Sequence, residues 1–221
     1  MLRCCSIWRM AKIITVANLK GGCGKSTIAV NLAGELEAKH TRVVLLDADE
    51  QGTAAGWAEA GKLPFRVDFM PLKVPKAWIS HVLSIDADCI LVDCPPHVGE
   101  ATSAAVGVSD LVLIPIFSSA ADLRATVRAL ELVQLARAGR KHGAPLCLLI
   151  PSRIDRRTMV GREIESALKQ FGEPIGPAIH QRSAFIDACT ESQWIGDYAP
   201  ASAAHDDVKA LALAVRRRLK L

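Results

Sequence analysis

The sequence predicts an α/β fold: one domain whose mostly parallel, twisted β-sheet is covered by helices on both faces. Three observations carry that expectation. Short apolar runs rich in β-branched residues alternate with segments whose apolar residues recur at helical spacing. Two of those runs end in aspartate, at Asp47 and Asp93. Half of the 221 residues are hydrophobic, enough for a sizeable core without disulfides or metals.

Residues 13–17 form a compact apolar run, the first predicted strand. A Gly-rich turn follows, and then Ile28, Leu32, Ala33 and Leu36 repeat at helical spacing. Residues 42–47 read as a buried strand, 53–60 as a short helix, 65–70 as a strand and 76–84 as a helix. Residues 89–93 form another buried strand ending in a carboxylate, and the run 111–116 follows a short helix. Residues 122–141 carry Leu123, Val127, Leu130, Val133 and Leu135 with arginines between them, which predicts a long amphipathic helix. Residues 146–150 are a further strand and 160–171 a helix. Residues 175–179 are a weak strand, interrupted by Gly176 and Pro177. A helix over 206–219 closes the chain.

No low-complexity linker or internal repeat divides these elements, so one domain over residues 11–221 is expected. Residues 1–10 (MLRCCSIWRM) read as an extension, disordered or upstream of a true start at Met10. They lack the long apolar stretch and cleavage site of a signal peptide. No run of about 18 apolar residues predicts a transmembrane helix. The composition excludes a disordered tail, a collagen-like repeat and a small disulfide scaffold. Seven cysteines show no CxxC pair and no zinc-type spacing. Cys89, Cys94 and Cys147 lie in or beside apolar runs, as buried thiols in a reducing cytosol would. The net charge of +4 is compatible with a nucleic-acid partner and does not demand one.

The chemistry concentrates in residues 17–27, Ala-Asn-Leu-Lys-Gly-Gly-Cys-Gly-Lys-Ser-Thr, between the first strand and first helix. Gly24, Lys25 and Ser26 match the end of the phosphate-loop pattern GxxxxGK[ST], although its first glycine is replaced by Leu19. Gly21, Gly22 and Gly24 let backbone N–H groups turn inward as an anion nest. A helix starting near Lys25 points its positive end at the same place. Lys25 would reach β- and γ-phosphates, and the Ser26 hydroxyl would ligate Mg²⁺. Lys20, Cys23 and Thr27 complete the expected nucleotide-binding set.

The form KGGxGK[ST], with its extra lysine at Lys20, resembles the deviant Walker A ATPases of the ParA/MinD family. That resemblance implies a P-loop NTPase fold, ATP and ADP as ligands, Mg²⁺, and a homodimer formed with ATP. It implies that Lys20 crosses the dimer interface to the partner's nucleotide, making Lys20, Lys25 and Asp49 the catalytic set. The segment Asp47-Ala-Asp-Glu-Gln51 is similar to the family's DxDPQ motif, with Glu50 in place of proline. By that likeness Asp49 positions the attacking water. Two aspartates at a strand end face Mg²⁺ or water, which places Asp47 in the expected metal set; capping of the following helix is the other reading. Asp93-Cys-Pro-Pro96 resembles DxPP, so Asp93 would hold the Mg²⁺ shell through water. Ser119, Asp122 and Leu123 match a further family segment, PxxPSxxDL, with Ser118 replacing its second proline. Arg153 follows the next strand, where relatives place residues near the adenine.

The family divides by partner. ParA-type members bind DNA without sequence preference as ATP dimers and answer to a ParB-like centromere-binding or cargo-adaptor protein. MinD-type members dock on membranes through a C-terminal amphipathic helix. Here Val208, Leu211, Ala212, Val215 and Leu219 form an apolar stripe without aromatic anchors, which reads as core packing. Lys209, Arg216, Arg217, Arg218 and Lys220 lie on its other side, as phosphate-contacting residues would. Arg182, and the segment 155–157 with Arg162, are further DNA candidates. The expectation is a cytoplasmic, nucleoid-associated partition ATPase moving a plasmid or other cargo. The alternatives are a membrane-cycling ATPase or a nucleotide-gated scaffold with little turnover.

Overall fold

Strand β1 (Lys12–Val16) lies in the middle of a seven-stranded, all-parallel sheet of order β3-β2-β4-β1-β5-β6-β7. The structure is a computed structural model that describes residues 11–71, 73–97, 99–117, 120–140 and 143–221, without the side chains of 120–123 and 160. The extension 1–10 and Ser118 and Ser119 lie outside the described residues, as do the side chains of Asp122 and Leu123.

After β1 come α1 (Lys25–Glu37), β2 (Val43–Asp47), α2 (Thr53–Ala58), β3 (Arg66–Phe69), α3 (Pro75–Val82), β4 (Cys89–Asp93) and α4 (Glu100–Val108). Then follow β5 (Leu111–Ile116), α5 (Ala120–Ala138), β6 (Leu146–Ile154), α6 (Met159–Leu168) with a 3₁₀ turn at Lys169–Phe171, and β7 (Ile179–His180). The chain ends with α7 (Ser183–Thr190), α8 (Ile195–Tyr198) and α9 (Ala203–Leu219).

Side chains alternate across a strand, so each strand feeds two cores. Ile14, Val16, Leu45, Leu91 and Leu113 meet α1, α2, α7, α8 and α9 on one face. Ile13, Leu46, Ile90, Val92 and Ile114 meet α3, α4, α5 and α6 on the other. Every residue of β2, β4 and β5 is buried, which is why these strands read as unbroken apolar runs. The edge strand β3 is short and carries an Arg66–Asp68 ion pair, a form that discourages pairing with another chain.

Three expectations need correction. Residues 175–179 are not a strand: Ile175 makes one isolated bridge to Leu149, and pairing resumes only at Ile179 and His180. Gly176 and Pro177 between them break the ladder. Helices α7 and α8 stand where the sequence shows no helical period. In α5 the buried stripe is Thr126, Ala129, Leu130 and Val133, leaving Val127 and Leu135 exposed, because those two fall off the 3.6-residue period.

The stripe expected on α9 is buried throughout and packs against α1. His205 Nε2 and Glu35 Oε2 lie 2.8 Å apart across that contact, and the Trp194 ring meets His205 edge-on. Trp194 lies over Gly34, where an added Cβ would come within 2.4 Å of the indole.

Candidate functional site

The loop between β1 and α1 turns on two glycines in the left-handed region, Gly22 at φ 73° and Gly24 at φ 88°. No side chain caps the start of α1. Lys25 is buried, and its Nζ donates to the Lys20 carbonyl at 3.1 Å, which folds the lysine across its own loop.

Strand β6 braces this loop from the side. The Ser152 hydroxyl donates to the Cys23 carbonyl at 2.7 Å, and Arg153 Nη1 donates to the Gly22 carbonyl at 2.8 Å. Arg153 is an extra residue on β6: Ser152 pairs with Ile179 and Ile154 with His180. It has φ 55°, a left-handed conformation that costs a non-glycine residue about 1–2 kcal/mol. The bulge turns its side chain onto the loop. Its guanidinium stands 5.4 Å from the centroid of Phe117, and Lys20 Nζ lies 6.0 Å from the same ring. Arg153 therefore sits at the phosphate loop, bonded to Gly22, and lines the cleft beside it.

The parallel ladder brings three carboxylates to one end of the sheet. Asp47 of β2 and Asp93 of β4 are register partners, and Asp93 is level with Val16 of β1. Asp47 is fully buried; its two oxygens accept from the Asp49 amide at 3.1 Å and the Ala55 amide at 2.9 Å. Burial raises its pKa against the pull of these amides. Both oxygens thus hold the turn into α2, as the capping reading of Asp47 expects, and each keeps acceptor capacity beyond its one amide. Asp49 lines the cleft and accepts from the Gln51 amide at 3.1 Å.

Asp93 is different. Its carboxylate is buried, and among the described residues neither oxygen has a hydrogen-bond partner of normal geometry. Burial pushes its pKa up to about 7; the Ser26 hydroxyl pulls it down, Asp47 pushes it up, Lys25 pulls it down and Asp49 pushes it up. An unsatisfied carboxylate between a serine hydroxyl and a lysine is the donor set a small hard cation takes.

A cleft of about 530 Å³ opens beyond the loop. Gly21, Ser26, Asp49 and Pro96 line one end; Ile179, Phe185, Ile186 and Thr190 line the other. Phe185, Ile186 and Thr190 belong to α7, whose two fully buried residues are too few to show a period in the sequence. Arg182, expected on a DNA surface, lines this cleft and donates through Nε to Asp207 at 3.1 Å. Asp207 also accepts from the His180 amide at 3.0 Å and contacts its ring Nδ1. A second, open hollow of about 670 Å³ shares His180, Gln181 and Arg182 and adds Arg156 and Arg157. There Arg157 pairs with Asp155, which it holds at about 2.

The basic residues of α9 divide. Arg216 is half-buried and donates to the Thr41 hydroxyl at 3.0 Å, so it ties α9 to the turn before β2. Arg218 is half-buried too. Arg217 and Lys220 are exposed.

A parallel sheet with a glycine loop at the carboxyl end of its central strand, and carboxylates on neighbouring strands, defines a P-loop nucleotide-binding domain. The chain belongs to the CobQ/CobB/MinD/ParA nucleotide binding domain family (CbiA), which matches residues 14–193. Among its relatives is Maintenance of carboxysome distribution protein A of Gloeobacter kilaueensis, 32% identical over 194 residues, covering 84% of this chain and 86% of that protein. Another is the chromosome-partitioning ATPase Soj of Thermus thermophilus, 27% identical over 239 residues, covering 94% and 96%. Among solved structures, MinD of Aquifex aeolicus shares the fold with a TM-score of 0.76 at 19% identity, covering 94% of this chain and 98% of that one. Apo McdA of Cyanothece gives 0.75 at 18%, covering 95% and 99%.

Proposed function

We propose that the chain is a Mg²⁺-dependent positioning ATPase. Two copies joined by ATP bind nucleoid DNA without sequence preference, and a ParB-like or cargo-adaptor partner stimulates the hydrolysis that releases them. One observation carries the nucleotide half: the buried, unpartnered Asp93 carboxylate beside Ser26, at the mouth of the glycine loop. Ser26 would hold Mg²⁺ directly and Asp93 through water. Bound there, the ion would neutralise phosphate charge.

This chain's own residues do the rest. The amides of residues 21–24 bind phosphate oxygens. Lys25 exchanges the Lys20 carbonyl for a phosphate. Asp47 holds the turn that carries Asp49, and Asp49 orients a water toward the γ-phosphorus. As the water oxygen bonds to phosphorus, the bond to the bridging oxygen breaks, ADP leaves, and the water's proton passes to an oxygen of the released phosphate. Lys20 of each protomer stabilises charge on the partner's nucleotide.

The positioning role is supported by relatives named for carboxysome distribution and chromosome partitioning. DNA contact is supported by exposed Arg217 and Lys220 and by the basic hollow at Arg156 and Arg157. The buried stripe of α9 speaks against docking on a membrane through that helix.

The test is retention on DNA with ATP, with ADP and without nucleotide. Retention should require ATP and fall steeply between about 50 and 200 mM salt, because phosphate contacts release counterions. Retention independent of ATP would sink the DNA half. ATP-dependent flotation with liposomes would transfer the protein to the membrane reading.

A further inference from the structure

Phe117 follows the last residue of β5, and β5 runs in register beside β6, Ile116 against Pro151. The ring thus reaches the bulge at Arg153. From this point three groups converge on the phosphate loop. Ser152 holds the Cys23 carbonyl, Arg153 holds the Gly22 carbonyl, and the Phe117 ring lies within cation–π range of both Arg153 and Lys20. A left-handed arginine is a strained backbone, and such strain persists where surrounding structure fixes it for a purpose.

We infer that Arg153 and Phe117 form a latch within one protomer: Arg153 fixes the phosphate loop open for an anion, and Phe117 keeps Lys20 beside it. Two loop carbonyls, at Gly22 and Cys23, are drawn toward β6 by these donors. That leaves the neighbouring amides to face the cleft. Arg153 is a positioning residue here, since its observed partner is the loop and not a ligand. The Lys20 ammonium and the Arg153 guanidinium both lie within cation–π range of the one Phe117 ring, so the ring links the signature lysine to the bulge. The nucleotide consequences rest on the ATPase reading above; the loop consequence does not.

The experiment compares wild type with Arg153→Gly, Arg153→Lys and Phe117→Leu. Glycine keeps the left-handed backbone without strain and lacks the guanidinium. Amide hydrogen exchange of the nucleotide-free protein is read first. In Arg153→Gly, exchange over residues 20–25 should rise about tenfold while the sheet is unchanged and the melting temperature does not fall. Unchanged exchange at the loop overturns the latch, whatever the protein binds.

With a fluorescent ATP analogue, Arg153→Gly should bind about tenfold more weakly, and Arg153→Lys should recover only part of the loss, because lysine lacks the planar fork. Phe117→Leu keeps an apolar side chain without a π face. It should bind the analogue within about twofold of wild type and turn over about five- to tenfold more slowly. Wild-type turnover in Phe117→Leu overturns the part played by the ring. If wild type itself binds no ATP analogue, the ATPase reading fails and the exchange measurement alone decides the latch.

Discussion

Replacing Asp93 with asparagine should stabilise the nucleotide-free protein, and the gain should depend on pH. The carboxyl's ordinary pKa is 3.8, and burial raises it to about 7 in the folded chain. Between those values the folded state holds a proton that the unfolded state has released. Stability therefore falls as pH rises through that window, and above pH 7 the folded state bears the full cost of a buried charge. At about 1.4 kcal/mol per pH unit, this cost approaches 4 kcal/mol at pH 8 and only about 1 kcal/mol near pH 4.5.

Asparagine has nearly the same shape and never ionises. Allowing half the gain for relaxation around the charged form, Asp93→Asn should gain about 2 kcal/mol at pH 8, or roughly 4–8 °C in Tm for a domain of this size. The assay is thermal denaturation in EDTA at pH 4.5 and pH 8, repeated at pH 8 with Mg²⁺ and ATP. The variant should melt higher than wild type at pH 8 and nearly together with it at pH 4.5. Added Mg²⁺ and ATP should then raise wild type more than the variant, which keeps the loop amides and Lys25 but lacks the Asp93 charge. A variant that melts below wild type at pH 8, or a difference that ignores pH, refutes the reasoning.

Other outcomes test neighbouring parts. Lys25→Ala should lose at least about two orders of magnitude in ATP affinity by calorimetry, since a charge-assisted phosphate contact and a buried cation go together. Lys20→Ala should still bind ATP yet show no partner-stimulated turnover. Asp49→Ala should bind ATP, fail to hydrolyse it, and run as a dimer in size-exclusion chromatography with ATP; monomers only would remove Asp49 from its assigned role. Leu211→Ala should cost about 2–5 kcal/mol in urea denaturation, because Leu211 is buried between α9 and the sheet.

The strands at residues 89–93 and 111–116 were legible to the residue. A parallel strand covered on both faces has no position for a polar side chain until it ends. The glycine loop and the two strand-end aspartates were legible for a related reason: clustered glycines and buried carboxylates need a local cause. What Asp47 does was not legible. The sequence sets it two residues from Asp49, but only the fold shows both its oxygens taken by amides of the next turn. The placement of Arg182 and Arg153 was equally hidden. For Arg153, a left-handed residue at a one-residue bulge changes where the side chain points, and neither leaves a mark in composition or period; Arg182 is turned to the cleft by its bond to Asp207 of a distant helix. Helices α7 and α8 are short and owe their formation to tertiary packing of Phe185, Trp194 and Ile195 more than to any pattern of their own.

The packing of the C-terminal helix sets an energy cost on one of the proposed partners. Membrane docking through its apolar stripe would require Val208, Leu211, Val215 and Leu219 to leave the sheet and α1. All four are buried, and exposing each costs about 1.5–3 kcal/mol, roughly 6–12 kcal/mol together. That equals the whole stability of an ordinary domain, about 5–15 kcal/mol. The buried Glu35–His205 pair would have to part as well. Lipid would thus have to replace the core instead of adding to it. A polyanion makes no such demand. It needs only the groups the helix already turns outward, Arg217 and Lys220, and the arginines of the neighbouring hollow. The same helix is fastened to the cleft wall by Asp207, which holds both His180 and Arg182. Its outward charges are therefore fixed relative to the cleft, so the proposed DNA contact needs no rearrangement of this helix.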